Sequence, residues 1–236
     1  MKPLYRSFIM FIRQIFSDNM LWAVCIAPFL TASLFRFGVP YIDSLLCAEF
    51  QTPILGDYYL LFDLFLCLIT PYMFCYASSM VMLSEFDDHM TGYMSVTPVG
   101  KFGYLISRLG IPAALSFFVS VFLMSFFTLT KWPLWLLLLS CLLNCVMSVA
   151  VSLLIFSLSR NRVEGMAMAK MSGLFMLGLF APFFLKTGIQ YLLAPLPSFW
   201  LAKLCLDKNI LFLPPAILTL AIWLKLLSGR FKRKLA

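Results

Sequence analysis

The chain has 236 residues, of which 62% are hydrophobic, 17% aromatic and only 12% charged. A soluble domain of this size needs far more charge to cover its surface, whereas a bilayer core accepts such a composition. The formal net charge of +8 does not point to nucleic acid, because Lys and Arg gather at the ends of apolar segments instead of forming one basic face.

Residues 4 to 16, LYRSFIMFIRQIF, place Leu4, Phe8, Phe11, Ile12 and Ile15 on one helical face and Arg6, Ser7, Arg13 and Gln14 on the other. This predicts an amphipathic helix lying in the membrane surface over 1–19. Arg6 and Arg13 interrupt the apolar run, so it does not read as a cleavable signal. Asp18 and Asn19 then supply a break and a fresh helix cap.

Apolar segments long enough to cross a bilayer follow at 20–41, 58–83, 104–129, 133–158, 166–185 and 210–227. Between the last two, residues 186–209 are broken by Pro195 and Pro197 and framed by Lys186, Lys203, Asp207 and Lys208. Six spans with an internal N-terminus put thirteen of the eighteen Lys and Arg residues on the inner side. The outer connection from Asp43 to Asp57 then carries three acids and no cation. A seventh span would send the basic tail outside, against the positive-inside rule. The expected fold is therefore an all-α membrane domain over 1–236 with six transmembrane helices and an N-terminal interfacial helix. Short broken helices over 186–209 stand in the outer loop, and both termini are cytoplasmic.

Five cysteines, Cys25, Cys67, Cys75, Cys141 and Cys145, fall inside apolar segments, where a thiol behaves as a small hydrophobe. Cys47 and Cys205 fall in predicted outer segments, where a disulfide is an open question of distance. With one histidine in the chain no metal site is expected. Arg36 and Asp63 are costly inside a membrane and sit at matching depth near the outer ends of consecutive spans. An intramembrane ion pair is the first reading, a gate surface the second, and snorkelling of Arg36 the third. Asn144, mid-span, is expected to hydrogen-bond between helices.

The inner connection over 84–102 gathers Glu85, Asp87, Asp88 and His89 within five residues. Ser84 and Asp87 form a helix-start signal, and Met90, Tyr93, Met94 and Thr97 recur at helical spacing until Pro98 and Gly100 stop the run. No nucleophile with an orienting base accompanies these acids, so no catalytic site is expected. The one Gly-Lys pair, Gly100-Lys101, has Ser95 where a phosphate-binding loop needs its first glycine and Phe102 where it needs a hydroxyl.

The stretch SEFDDHMTGYMSVTPVGKFGYLISRLGIPA, with RNRVEGMAMAKMSGL at 160–174 and APLPSFWLAKLC before the last span, resembles type-2 ATP-binding-cassette exporter permeases of the drug or fluoroquinolone export branch. The resemblance covers most of the chain. It implies that Glu85, Asp87, Asp88, Met90, Gly92, Tyr93, Thr97 and Pro98 form a coupling helix that docks on a separate ATPase. Asn161, Arg162, Val163, Glu164 and Gly165 are implied as a second inner contact. The implied assembly has two ATPase subunits, which hold the ATP and Mg, and a second copy of the permease or a similar one. The implied cargo is a hydrophobic or amphipathic drug, antibiotic or peptide, expelled across the cytoplasmic membrane. Where many relatives have Glu-Arg-Glu or Glu-Arg-Asp, this chain has Glu85-Phe86-Asp87, which removes a cation from the motif. A reading from another class is an ATP-independent membrane protein, either a secondary transporter or a sensory subunit, for which no inverted repeat is evident.

Overall fold

A computed structural model describes residues 2–51, 55–88, 100–185 and 188–234. Among these residues there is no β-strand, and six helices are long and apolar enough to cross a membrane. The surface helix α1 (Lys2–Ser17) precedes α2 (Asn19–Phe50), α3 (Gly56–Asp87), α4 (Gly103–Phe126), α5 (Leu134–Leu158) and α6 (Arg162–Phe184). A short helix α7 (Pro197–Asp207) and the last span α8 (Ile210–Phe231) complete the bundle. Sequence reasoning located all six spans, and the helices extend beyond several of the apolar segments that mark them.

Burial orders the bundle. The most apolar windows of α3 and α5 are 61% and 67% buried, whereas those of α2 and α8 are 17% buried. Two spans therefore form the centre and two face outward. Asp18 caps α2 by accepting from the Met20 and Leu21 amides at 2.9 and 3.4 Å, as the sequence predicts. α1 buries Phe11 and Ile15 against the bundle, and its polar flank is only partly free, since Ser7 is buried beside Ser107 at 3.3 Å.

Two spans contain a π-helical turn, Leu34–Gly38 in α2 and Ile106–Gly110 in α4. Both precede proline at the same offset, in Arg36-Phe37-Gly38-Val39-Pro40 and Arg108-Leu109-Gly110-Ile111-Pro112. Proline has no N–H to bond the carbonyl four residues back, so each arginine carbonyl loses its regular partner. For Arg108 the Ser78 hydroxyl of α3 donates to that carbonyl instead.

At the end of the bundle away from the termini, Asp63 is 2% exposed and accepts four hydrogen bonds from the connection between α4 and α5. The donors are the Leu129 and Thr130 amides at 2.8 and 2.9 Å, the Thr130 hydroxyl at 2.5 Å and the Trp132 indole at 3.0 Å. Arg36 is exposed and donates to the Thr128 carbonyl at 2.7 Å. The expected Arg36–Asp63 ion pair is therefore not formed. The two side chains reach the same turn, but its backbone amides and hydroxyl fill the carboxylate first. Asn144 does bond between helices, donating to Cys67 Sγ at 3.2 Å.

The proline-broken segment folds back into the bundle. Trp223 of α8 donates to the Pro195 carbonyl at 3.0 Å, and Ser198 donates to the Phe175 carbonyl of α6. From Ile210 to Trp223 the helix rises about 20 Å, so Pro195 lies deep beside the last span. α7 then climbs back with Phe199, Leu204 and Cys205 fully buried. The approach to α6 is close at Gly178, where a Cβ would stand 2.3 Å from Ser198 Oγ and 2.8 Å from the Phe199 nitrogen. Cys205 carries no disulfide, so the bridge to Cys47 is absent.

Candidate functional site

The site lies where the N-terminal and C-terminal segments meet the connection from α3 to α4. Met90, Gly92, Tyr93, Thr97 and Pro98, together with His89, lie outside the described residues. The two ends of that connection are described, and a buried ion pair ties them together.

Glu85, in the last turn of α3, is 1% exposed, and Arg108, in the π-helical turn of α4, is fully buried. Arg108 Nε donates to Glu85 Oε1 and Oε2 at 3.1 and 3.0 Å, and Nη2 donates to Oε1. Tyr104, one helical turn before Arg108, donates its hydroxyl to Glu85 Oε2 at 2.9 Å. The remaining guanidinium nitrogen Nη1 donates to the Ser7 carbonyl of α1 at 2.8 Å. The Phe11 ring lies 5.3 Å from the guanidinium carbon. Burying two charges is costly, and the arrangement stands because both carboxylate oxygens and all three guanidinium nitrogens have partners and the geometry is forked. Three elements, α1, α3 and α4, are thereby locked at one point.

Glu85 was expected to dock a partner. It has no surface left for one, because Arg108 and Tyr104 enclose its carboxylate. Asp87 and Asp88 are exposed. Asp87 accepts from the Arg162 amide at 2.9 Å, which joins the end of α3 to the start of α6. Arg162 also forms an ion pair with Asp18, so the cap of α2 is held in the same network. The Arg162 guanidinium holds the Asp18 carboxyl below its usual value, aided by the capping amides.

Asn161 caps α6, and Glu164 at the third helical position accepts from the residue just before the cap. The Glu164 amide lies 2.8 Å from the Asn161 side chain, and the Arg160 amide 2.5 Å from the Glu164 carboxylate. Asn161, Val163 and Glu164 face outward, Val163 being 76% exposed. Gly165 does not: a Cβ there would stand 2.3 Å from Leu83 Cδ1, so this residue lets α6 approach α3 and cannot meet a partner.

Phe86, where the resemblance leads one to expect arginine, packs edge-on against Phe156 with ring centroids 6.0 Å apart. Its position still has a cation beside it. Lys234, where the helix of α8 continues past Phe231, lies 4.5 Å from the Phe86 ring and 4.3 Å from that of Phe156. It donates to the Phe156 carbonyl at 2.6 Å and to that of Ser159, the open end of α5. Burial pushes the Lys234 ammonium down to about 8, against the pull of Asp87 and Glu164.

Sequence reasoning missed the roles of Ser7, Arg108 and Lys234. For Arg108 a signal was present: Tyr104 and Arg108 share a helix face, and a charge so far inside a span calls for a partner. Lys234 had no signal beyond its charge, which the topology rule had already absorbed.

No curated protein and no solved structure matches the chain. A family model described as fluoroquinolones export permease protein Rv2686c-like matches residues 11–228, from the surface helix through the clamp to the last span. That match takes in nearly the whole described bundle, and the chain belongs to this family of export permeases.

Proposed function

We propose that the chain is the membrane subunit of an ATP-driven type-2 ABC exporter. The observation that supports this reading best is the buried clamp between Glu85 and Arg108. It makes the two ends of the 89–99 connection one rigid base, bound also to α1 and, through Asp87, Asp18 and Arg162, to the start of α6. A connection held this way transmits a push on its tip to four helices at once. In the proposed mechanism, two ATPase subunits close on ATP and press on this connection in each of two paired permeases. Each six-helix bundle then tilts about the clamp and releases cargo outward.

The terminal side carries the cation excess of the chain and is assigned to the cytoplasm of an inner membrane. The cargo is a hydrophobic or amphipathic compound, and the family description makes fluoroquinolone drugs the first class to try. Catalysis of ATP hydrolysis belongs to the partner. The test is copurification of the partner ATPase from native membranes. Asp87→Ala/Asp88→Ala together with truncation of 89–99 is expected to abolish association while the permease remains monodisperse. Failure of the intact chain to retain any ATPase refutes the proposal.

A further inference from the structure

A polar cavity of about 200 Å³ lies at the end of the bundle that carries the termini. Gln14 and Ser17 of α1, Asp18, Ser84, Asp88 and Arg162 make six of its eight lining residues polar or charged, in a chain with only 12% charged residues. Asp18 stands just before α2, Asp88 just after α3, and Arg162 opens α6. Three spans thus end at the cavity, which sets it at the level of lipid headgroups, where the surface helix α1 also lies.

Several groups around this cavity are unmatched. Gln14 Oε1, an acceptor, and Arg162 Nε, a donor, are buried without a hydrogen-bond partner, which is costly for each. Two ion pairs form among the described residues, Glu85–Arg108 and Asp18–Arg162, and Asp88 belongs to neither. Asp18, Asp88 and Arg162 together leave one negative charge uncompensated. The Ser17 hydroxyl donates to the Gln14 carbonyl at 2.9 Å, which leaves its oxygen to act as an acceptor. The complement of this set is a small zwitterion, with a cation bearing several N–H donors at one end and an anionic acceptor at the other.

We propose that this cavity binds a phosphoethanolamine group, either as the headgroup of an inner-leaflet lipid or as its soluble glycerol ester. Only the choice of leaflet rests on the permease reading above. A primary ammonium has three donors, which Asp88, Gln14 Oε1 and Ser17 Oγ accept. The phosphate accepts from Arg162 Nε in a charge-assisted bond. Gln14 and Arg162 are long side chains with several rotatable bonds, so both atoms can turn toward a bound group. A choline group carries the same charge without an N–H and leaves Gln14 Oε1 unmatched. A hard divalent cation finds oxygens here but meets the Arg162 guanidinium, and bare phosphate meets Asp18 and Asp88. The volume lies below the range of about 300–1,000 Å³ usual for drug-sized ligands and suits a headgroup. A bound group ties α1 and α2 to the ends of α3 and α6, directly under the 89–99 connection, so occupancy stiffens the base of that connection.

The test uses the full chain in detergent micelles without any ATPase. Phosphatidylethanolamine, phosphatidylcholine and phosphatidylglycerol with the same acyl chains are supplied in equal amounts, and native mass spectrometry counts the lipids retained. The ethanolamine lipid is expected to be retained about tenfold over the choline lipid, the effect of one charge-assisted hydrogen bond. Mono- and dimethylated headgroups should fall in between. Gln14→Leu exchanges an unmatched buried oxygen for apolar atoms, and Asp88→Asn keeps the shape of an exposed side chain, so neither threatens folding. Each is expected to bring the two lipids within about twofold of one another. Excess glycerophosphoethanolamine separates the sources: displacement of the lipid assigns the soluble ester, retention assigns the lipid, and both uphold the group. The proposal is overturned if ethanolamine and choline lipids are retained equally by wild type, as when water alone fills the cavity. It is also overturned if the glycerol lipid outcompetes both, or if both variants keep the wild-type preference. Because no ATPase is present, none of these results depends on whether one associates with the chain.

Discussion

Removing one half of the clamp leaves the other as an uncompensated buried charge. Arg108→Ala deletes the donors from Nε and Nη2 and leaves the Glu85 carboxylate with the Tyr104 hydroxyl alone. Glu85→Ala leaves the guanidinium with the Ser7 carbonyl alone. Each single change is expected to cost about 3–5 kcal/mol, the usual result of breaking a pair this deeply buried. The double change Glu85→Leu/Arg108→Met removes both charges and fills similar volume. It leaves the Ser7 carbonyl with its helical partner, the Phe11 amide, and the Tyr104 hydroxyl can turn, so what is lost is a pair of satisfied hydrogen bonds, each worth about 1 kcal/mol. The double variant should therefore be more stable than either single variant, with a coupling of several kcal/mol. Reversible unfolding in mixed micelles, by steric trapping or SDS titration, measures all the corners of this cycle. A double variant whose loss equals the sum of the single losses would refute the argument, as would an Arg108→Ala loss below about 1 kcal/mol.

At the opposite end, Asp63→Asn presents an amide NH₂ to donors and is expected to free the turn at 128–132. Arg36→Ala should change stability by less than about 1 kcal/mol, since its bond to Thr128 is exposed. Swapping the two charges should rescue nothing, and proteolysis of the turn reports all three variants. Gly165→Ala drives a Cβ into Leu83, itself fully buried, and should cost about 1–3 kcal/mol in the same unfolding assay. Lys234 supplies a pH dependence. Its ammonium is lowered from 10.5 to about 8 in the docked tail. Between those values the released tail binds more protons than the docked one, so docking strengthens as pH rises from about 8 to 10.5. Below about 8 both forms are charged and the full burial cost remains. A spin label at Arg233→Cys should become less mobile across that window, and Lys234→Met should remove the dependence.

The spans and the surface helix were legible because each is a long-range average of hydropathy, and the bilayer rewards that average directly. The cap at Asp18 and the break at Pro195 and Pro197 were legible because they act through the local backbone. Partner choice was not. Asp63 and Arg36 matched in depth and sign, yet an open turn bearing two amides, a hydroxyl and an indole competes for the same carboxylate, and no spacing rule counts backbone donors from a distant connection. Glu85 read as a surface acid because its neighbours Asp87 and Asp88 are surface acids. Its burial follows from Arg108, twenty-three positions away in sequence, the separation at which Glu85 and Arg108 bond.

The two Arg-x-Gly-x-Pro segments sharpen this point. Both bend their span into a π-helical turn for the same backbone reason, yet the arginines differ in fate. Arg36 stays exposed on a single carbonyl, while Arg108 is sealed among a carboxylate, a tyrosine, a backbone carbonyl and a ring. The backbone device is common to both, so it cannot be what makes a clamp. The difference lies in what the neighbouring span offers. At Arg108, α3 provides Glu85 for the side chain and the Ser78 hydroxyl for the orphaned carbonyl, so the bend is fastened twice to one helix. At Arg36, the one acid within the same layer is already saturated. A bend fastened on one side chain and one carbonyl of the same residue moves with α3 as a unit, which is the property a rigid base under the 89–99 connection requires.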